Sequence, residues 1–588
     1  MSLESDQRAR EFLSISGQFK LGHLLTESFH PVTGNLSEVA SQDTASGLKL
    51  LFDVDRDVQR VFNEFAGSGR ALDIADALVA ALQSGGRVFF TGCGSTGRLS
   101  IQLDSIWRHY WSVRQNKDLE GRTFSVMAGG DFALIKSVEG FEDFTQFGRR
   151  QIADLGVGER DVVFAITEGG ETSFVIGTAW QGLESGAKVY FVYNNPDDVL
   201  IEHVQRSREV ILEPRIEKIN LTTGPMAISG STRMQATTIQ LCVMLLILEF
   251  AVRKLEGMPF DGVAQEFQDA LGQSIDGLAS EEFRGSLARL VEMEEAVYRS
   301  GRLNNYYADG YGIDVLTDTT ERSPTFCTPP FRKFDDESAA ISWAFLFVPY
   351  ENSPQAWRHI LKRAPRCIAW TPAEVKEMLP DDKAERACEV IAKIGEPELM
   401  RFRIGLDGIS MRPLGPGDCA VGVFAPDDTG YFQAAQLAAA QKNGAKIAAL
   451  AVNADRPSDL EVFVNVRVPK TGLLLNGTAR ASLKMALNAL STCTMVRLGR
   501  VMGNAMIYVV PSNLKLIDRA TRYIARLTGW EYEKACRLLF EVIGYVAPRM
   551  AADQAYPPVV GLATVRARDG LSNEKAEEVL TGSKRDSG

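Results

Sequence analysis

Short apolar runs alternate with amphipathic stretches through the first half of the chain. These runs predict strands at 87–91, 123–127, 161–166, 188–193 and 209–212. Between them, apolar residues recur at helical spacing, as in the stretch from about Ser173 to Glu184, which Gly186 ends. Strands separated by helices predict a parallel sheet covered on both faces, that is, a doubly wound α/β domain.

A second copy of this pattern follows the first. The segment GERDVVFAI (158–166) resembles GPGDCAVGV (415–423), and GAKV at 186–189 resembles GAKI at 444–447. A repeat of this length predicts duplicated domains and not a solenoid. We expect two such α/β domains and a helical C-terminal cap, in which 513–527 and 532–543 read as amphipathic helices. The predicted parts are an N-terminal arm (1–45), a first domain (46–285), a second domain (286–500) and the cap (501–588).

The stretch Phe89–Ser100, FFTGCGSTGRLS, joins a predicted strand to a helix that we expect to start near Arg98. Its glycines let the backbone approach a ligand, and its hydroxyls and free helix N–H groups can hold an anion. No Gly-Lys-Ser/Thr follows, so it is not a mononucleotide P-loop. Ser95 and Thr96 suit a single phosphate better than a pyrophosphate. The alternative is a tight strand-to-helix turn without a ligand.

Two later stretches have the same character and favour a phosphate site. They read TEGGETSF (167–174) and GPMAISGSTRMQ (224–235). Ligands bind beyond the carboxyl ends of the strands in open α/β sheets, where the first two turns are expected. The candidate phosphate ligands are Gly94, Ser95, Thr96, Gly97, Thr167, Gly169, Thr172, Ser229, Ser231 and Thr232.

The three motifs together resemble the sugar isomerase (SIS) domain family, in particular its N-acetylmuramic acid 6-phosphate etherases and glucokinase regulatory proteins. The family's GxGxSGR, second Ser/Gly turn and TGSSRMK-like segment correspond to GCGSTGR, TEGGETS and SGSTRMQ here. The resemblance extends from about Leu24 to about Leu539. It implies binding of a sugar 6-phosphate of the fructose 6-phosphate or N-acetylmuramic acid 6-phosphate type, without a cofactor or metal.

The etherase resemblance also implies two glutamates that act as acid and base in eliminating a lactyl ether. The second of them corresponds to Glu142, in the VEGFED segment 138–143. At the position of the first, this chain has Ile106, which cannot exchange a proton. The first domain alone therefore lacks a complete pair.

The second copy carries a candidate for the missing carboxylate. Its segment DTTERSPTF (318–326) resembles the family's segment around that glutamate and places Glu321 there. Glu142 and Glu321 could form a composite site between the copies. Alternatively, Glu321 is a remnant that caps a helix or pairs with Arg322 or Arg332.

A lysine extends the resemblance to the regulatory branch. Lys484 corresponds to a second-domain lysine that helps to bind the sugar phosphate in that branch, while an ordinary helix lysine is the alternative. The second copy's own loops have lost the phosphate pattern, because Tyr307–Ile313 reads YADGYGI and Ala425–Gly430 reads APDDTG. We expect one functional site, in the first copy.

Composition narrows the possible partners. The net charge of −11 disfavours nucleic acid as a partner. The chain has no run of 18 apolar residues, so no membrane span is expected. The eight cysteines are scattered and form no CxxC pair, so we expect no disulfides. The five histidines lack the spacing of metal ligands, so we expect no metal site. The N-terminus is charged and does not resemble a signal peptide, so we expect a cytoplasmic protein.

The sequence thus leaves two functions open. A tandem layout and the missing glutamate favour a sensor that binds a sugar phosphate and acts on a partner, possibly a sugar kinase. A lyase with a composite site is the alternative.

Overall fold

The apolar runs form two parallel sheets of five strands each. A computed structural model describes residues 3–16, 21–138, 140–454, 460–551 and 554–582. The first sheet has the order β2-β1-β3-β4-β5 and the second β7-β6-β8-β9-β10, so the two follow the same winding. The strands are β1 Val88–Gly92, β2 Thr123–Met127, β3 Val162–Ile166, β4 Lys188–Tyr193, β5 Ile216–Asn220, β6 Asn304–Ala308, β7 Ala344–Phe347, β8 Cys419–Phe424, β9 Lys446–Val452 and β10 Val462–Val466.

Helices cover both sheets, which confirms the predicted doubly wound α/β class. Before and around the first sheet are α1 Leu3–Ile15, α2 Leu36–Gln42, α3 Thr44–Asp53, α4 Asp55–Gly67, α5 Arg70–Gln83, α6 Gly94–Val113, α7 Lys117–Glu120, α8 Thr145–Ala153, α9 Ser173–Glu184, α10 Asp197–His203, α11 Gln205–Leu212 and α12 Gln235–Glu256. Around the second sheet are α13 Val263–Ala279, α14 Glu281–Arg299, α15 Gly312–Phe326, α16 Ser353–Leu361, α17 Pro372–Met378, α18 Asp381–Ile391, α19 Glu396–Met400, α20 Leu406–Ile409, α21 Tyr431–Lys442 and α22 Gly477–Arg497.

The C-terminal part is helical, as predicted. A two-residue hairpin of β11 Val501–Met502 and β12 Ala505–Met506 precedes it. Its helices are α23 Leu514–Thr528, α24 Tyr532–Ala551, α25 Val559–Asp569 and α26 Asn573–Gly582.

The expected strand at 209–212 is wrong. These residues end α11, and Val210 and Ile211 are buried because they form the inner face of that helix. The fifth strand is β5, IEKIN, in which Ile216 and Ile219 are the buried residues. The polar residues Glu217, Lys218 and Asn220 interrupt this strand, so β5 lacks the apolar run that identified the other four.

The two copies meet through equivalent helices. Helix α6, which follows the first strand of the first sheet, packs against α15, which follows the first strand of the second. Helices α12 and α22 pack against each other in the same way. Helix α12 is long and apolar enough to cross a membrane, but its apolar window is entirely buried, as in a core helix. This arrangement brings side chains of the second copy to the ligand end of the first sheet.

Candidate functional site

The first loop turns directly from β1 into α6. Helix α6 begins at Gly94, four residues before the expected start, so Ser95, Thr96 and Gly97 lie in its first turn. A Cβ at Gly92 would lie 2.4 Å from the Thr96 carbonyl oxygen, so only glycine permits this turn. The free N–H groups of the first turn face the carboxyl end of the sheet, where a helix binds anions.

Thr96 has a structural role within this turn. Its hydroxyl oxygen accepts a hydrogen bond from the Cys93 N–H at 3.1 Å and lies 2.9 Å from the Cys93 carbonyl oxygen. It also lies 3.4 Å from a carboxylate oxygen of Glu168. Thr96 therefore caps the helix and joins the first loop to the second turn.

Ser95 binds a carboxylate of the second copy. Its hydroxyl donates to Glu321 Oε2 at 2.5 Å, and Arg98 Nη1 donates to Glu321 Oε1 at 3.0 Å. Arg322, an expected partner of Glu321, instead binds Asp318 and Glu294. Glu321 thus lies at the first-copy loop and contacts the first turn of α6.

The second turn, between β3 and α9, is ordered by its own hydroxyls. Thr167 is fully buried, and its Oγ1 lies 3.1 Å from that of Thr172, the residue before α9. The Gly169 carbonyl accepts a hydrogen bond from the Asn195 side chain at 2.9 Å. These residues lie at the expected strand end, and their hydroxyls hold the turn together.

In the third segment, 224–235, some side chains contact the candidate site and others contact the surrounding scaffold. The Thr232 hydroxyl hydrogen-bonds to Glu168 and so reaches the second turn. Ser229 is fully buried and donates to the Glu27 carbonyl at 2.9 Å, while its own carbonyl accepts from Tyr523. Ser231 is buried in a short bridge with Ile228. The structure therefore brings Thr232 to Glu168, whereas the side chain of Ser229 hydrogen-bonds to the N-terminal arm.

Glu168 is the residue that the sequence analysis missed. Its carboxyl lies between Thr96 and Thr232 and is 8% exposed. Burial, reinforced by the negative charge of Glu321, raises the pKa of Glu168 to about 7. A carboxyl group able to gain or lose a proton near neutral pH thus stands inside the predicted phosphate cradle.

Glu142 acts on the first loop through its charge. It lies exposed in the 3₁₀ turn Phe141–Asp143. Burial and, next, the negative charge of Glu142 raise the pKa of the Cys93 thiol well above its usual value. Glu321 therefore contacts this loop directly at Ser95, and Glu142 acts on it electrostatically at Cys93.

Lys484 lines a cleft between the copies with Ser95 and Glu321. Its ammonium group donates to the Arg233 carbonyl at 2.6 Å, to Thr238 at 3.0 Å and to Asn488 at 2.8 Å. Burial lowers the pKa of Lys484 to about 8. The cleft is narrow, about 20 Å³, which is room for one water molecule.

The cap neutralises the second turn. Lys515 on α23 binds Glu171 Oε1 at 2.7 Å, and Arg206 lies 3.3 Å from Oε2. Despite the opposing effect of burial, these cations lower the pKa of Glu171 to about 2. Arg519 and Arg522 hold Glu27 of the N-terminal arm in the same way. The arm and the cap therefore close over the first copy together.

The corresponding loop of the second copy is already occupied by a side chain. Asp428 accepts hydrogen bonds from the Gly310 and Ala425 N–H groups, both at 2.9 Å. A carboxylate thus takes backbone donors that an anionic ligand would need. Among the described residues no cluster of side chains could hold a metal ion.

Several known proteins are similar to this chain. The family model described as "Glucokinase regulatory protein N-terminal SIS domain" matches residues 71–181. An N-acetylmuramic acid 6-phosphate etherase of Synechocystis sp. is 32% identical over 235 residues, which are 40% of this chain and 70% of that protein. The etherase of Aliivibrio fischeri is 31% identical over 227 residues, 38% of this chain and 68% of that protein. Among solved structures, the C-terminal domain of glucosamine-fructose-6-phosphate aminotransferase from Francisella tularensis covers 76% of this chain and 96% of its own, with 11% identity and a TM-score of 0.41.

Proposed function

Because the chain belongs to the N-acetylmuramic acid 6-phosphate etherase family, we propose that it binds a sugar 6-phosphate between its two copies and cleaves a lactyl ether from it. The single observation that carries this proposal is the hydrogen bond from Ser95 to Glu321. It places a carboxylate of the second copy at the first-copy loop, whereas the first copy itself has Ile106 at the aligned position further along α6.

The proposed chemistry needs two carboxylates on one substrate. One removes a proton from the carbon next to a carbonyl-type carbon, the carbon–oxygen bond of the ether breaks, and the other gives a proton to the departing lactate oxygen. Water then adds to the double bond. In this proposal Glu321, which contacts the loop, and Glu142, whose charge acts on Cys93, provide this pair, while the helix N-terminus at Ser95 holds the phosphate.

The narrow cleft adds a conformational step to this proposal. A space of about 20 Å³ is too small for a sugar phosphate, so substrate entry has to separate Ser95 from Glu321. The freed Ser95 hydroxyl and Glu321 carboxylate would then both face the ligand.

Lactate release from N-acetylmuramic acid 6-phosphate tests the proposal. We expect release by the wild type and its loss, by at least 100-fold, in both Glu142→Gln and Glu321→Gln. Glu64→Gln, an exposed glutamate on α4, is the matched control and should leave the rate unchanged. Activity that survives in Glu321→Gln would refute the composite site.

A sensor is the second candidate, and Ile106 favours it, because the first copy does not carry the family's full pair. In that case the protein would bind fructose 6-phosphate or a related sugar phosphate and act on a partner such as a sugar kinase. Sugar-phosphate binding without lactate release would identify it. We assign either activity to the cytoplasm, since the eight cysteines are unpaired in the structure.

A further inference from the structure

Arg233 is buried at the junction of the copies, and its guanidinium group is only partly hydrogen-bonded. It belongs to the third hydroxyl-rich segment, just before α12, and is 2% exposed. Its Nη2 donates to Asp318 Oδ1 at 2.7 Å and to Ser491. Within the part of the chain that the structure describes, its Nε and Nη1 have no hydrogen-bond partner. Buried donors without partners are rare in folded proteins, and they indicate a bound ligand or water molecule.

The charges around Arg233 point to an anion. The cations of this buried cluster are Arg98, Arg233, Arg322 and Lys484, and its carboxylates are Asp318, Glu321 and Glu294. Arg480 and Asp314, also beside the cleft, neutralise each other at 2.6 Å. Asp55, which also acts on Lys484, does not change the balance at neutral pH, because burial raises its pKa to about 8. Glu168 lies beside Glu321 and is partly ionised at neutral pH, because its pKa is about 7, so between none and one positive charge is left over. Buried charge is normally paired.

Arg233 lines the same cleft as Ser95 and Lys484. The cleft therefore has an anion-binding helix terminus at one end and a buried guanidinium with free donors at the other. Lys484 adds charge there, although its hydrogen-bond donors are already used by Arg233, Thr238 and Asn488.

We propose that Arg233 forms a second anion subsite, for the carboxylate of the lactyl ether, so that the protein selects sugar phosphates that carry a carboxylate as well as a phosphate. This inference rests on the proposed function, because it names the feature of the substrate that the same site recognises. A guanidinium suits this role, since it stays charged when buried and makes strong hydrogen bonds to carboxylates.

Calorimetric titration with two sugars tests the subsite. N-acetylmuramic acid 6-phosphate carries the lactyl carboxylate, and N-acetylglucosamine 6-phosphate has a hydroxyl in its place. The titrations use the Glu142→Gln background, in which the first sugar is not consumed. We expect the first sugar to bind at least 10-fold tighter than the second.

The variants Arg233→Met and Arg233→Lys separate recognition from folding. Met should reduce the preference to below 3-fold, mainly by weakening the lactyl sugar, and Lys should restore part of it. Since Arg233 also holds Asp318, Met could unfold the protein, and the comparison of the two sugars in the Arg233-containing protein decides the question without it.

Equal affinity for the two sugars in the Arg233-containing protein overturns the subsite and leaves the proposed function standing. A preference that persists undiminished in folded Arg233→Met also overturns it. If neither sugar binds, the proposed function fails, and the subsite fails with it.

Discussion

Ser95 and Glu321 are 226 residues apart in sequence, yet the serine hydroxyl donates to the glutamate carboxylate at 2.5 Å. The contact crosses from the first copy to the second through the packing of α6 against α15. It means that one ligand bound at the first loop would touch both copies. The loss of a catalytic glutamate from α6 is thereby compatible with a working site.

Ser95→Ala should weaken sugar-phosphate binding by at least 10-fold, because a hydrogen bond to a charged group contributes about 1.5–3 kcal/mol. Thr96→Ala should also lower stability by about 1 kcal/mol, since Thr96 caps α6. Calorimetry and urea unfolding measure the two effects. Ser112→Ala, at the exposed far end of the same helix, is the control. Unchanged affinity in Ser95→Ala would show that this loop is not the phosphate site.

Glu168→Gln should stabilise the protein at pH 8 and not at pH 4. The pKa of Glu168 is about 7 in the folded protein, and its ordinary value, which applies to the unfolded chain, is 4.5. Below pH 4.5 the carboxyl group is therefore protonated in both states. Between those values the unfolded chain ionises first, and stability falls as the pH rises. The difference of between two and three pKa units corresponds to about 3 kcal/mol at pH 8.

Urea unfolding of wild type and Glu168→Gln at the two pH values checks this. Glu171→Gln provides a control of opposite sign, because the folded pKa of Glu171 is lowered to about 2. The ionised Glu171 side chain stabilises the wild type above pH 4.5, and this stabilisation is lost as the pH falls towards 2. Parallel pH profiles for wild type and Glu168→Gln would contradict a raised pKa at Glu168.

Lys515→Met should destabilise the protein by about 2 kcal/mol. It leaves the buried Glu171 with Arg206 as its remaining ion-pair partner. The effect is smaller than the 3–5 kcal/mol of a fully buried pair, since one third of the Lys515 side chain is exposed. Lys393→Met, at an exposed lysine just after α18, should change stability by less than 0.5 kcal/mol. Equal unfolding midpoints for the two variants would argue against the cap contact.

Crystals soaked with a sugar 6-phosphate should show density at the first copy only. Asp428 takes the N–H groups of Gly310 and Ala425 at the second copy's loop, and its negative charge repels a phosphate. Density of equal strength at residues 307–312 would contradict this. Soaking with inorganic phosphate controls for the sugar contacts.

The sequence predicts the scaffold better than the electrostatics of the site. Four strands of the first sheet follow from their apolar runs, whereas β5 escapes because its sequence, IEKIN, has only two apolar residues. The start of α6 at Gly94 is hidden, since glycines and hydroxyls read as a loop. Glu168 looks like a turn residue in TEGGETS, and its raised pKa depends on Glu321, which the fold brings from the other copy. Long-range partners of this kind leave no local signal.

The pairing of Glu171 with Lys515 also has a consequence for the time course of synthesis. The two residues are separated by 344 positions in the chain. At about 5–20 residues per second, a ribosome makes Lys515 roughly 20–70 s after Glu171. During that interval the nascent first copy holds an acidic turn whose main counter-charge does not yet exist. Its second turn therefore matures last, when the final helices leave the ribosome, although its strands are among the first to be made.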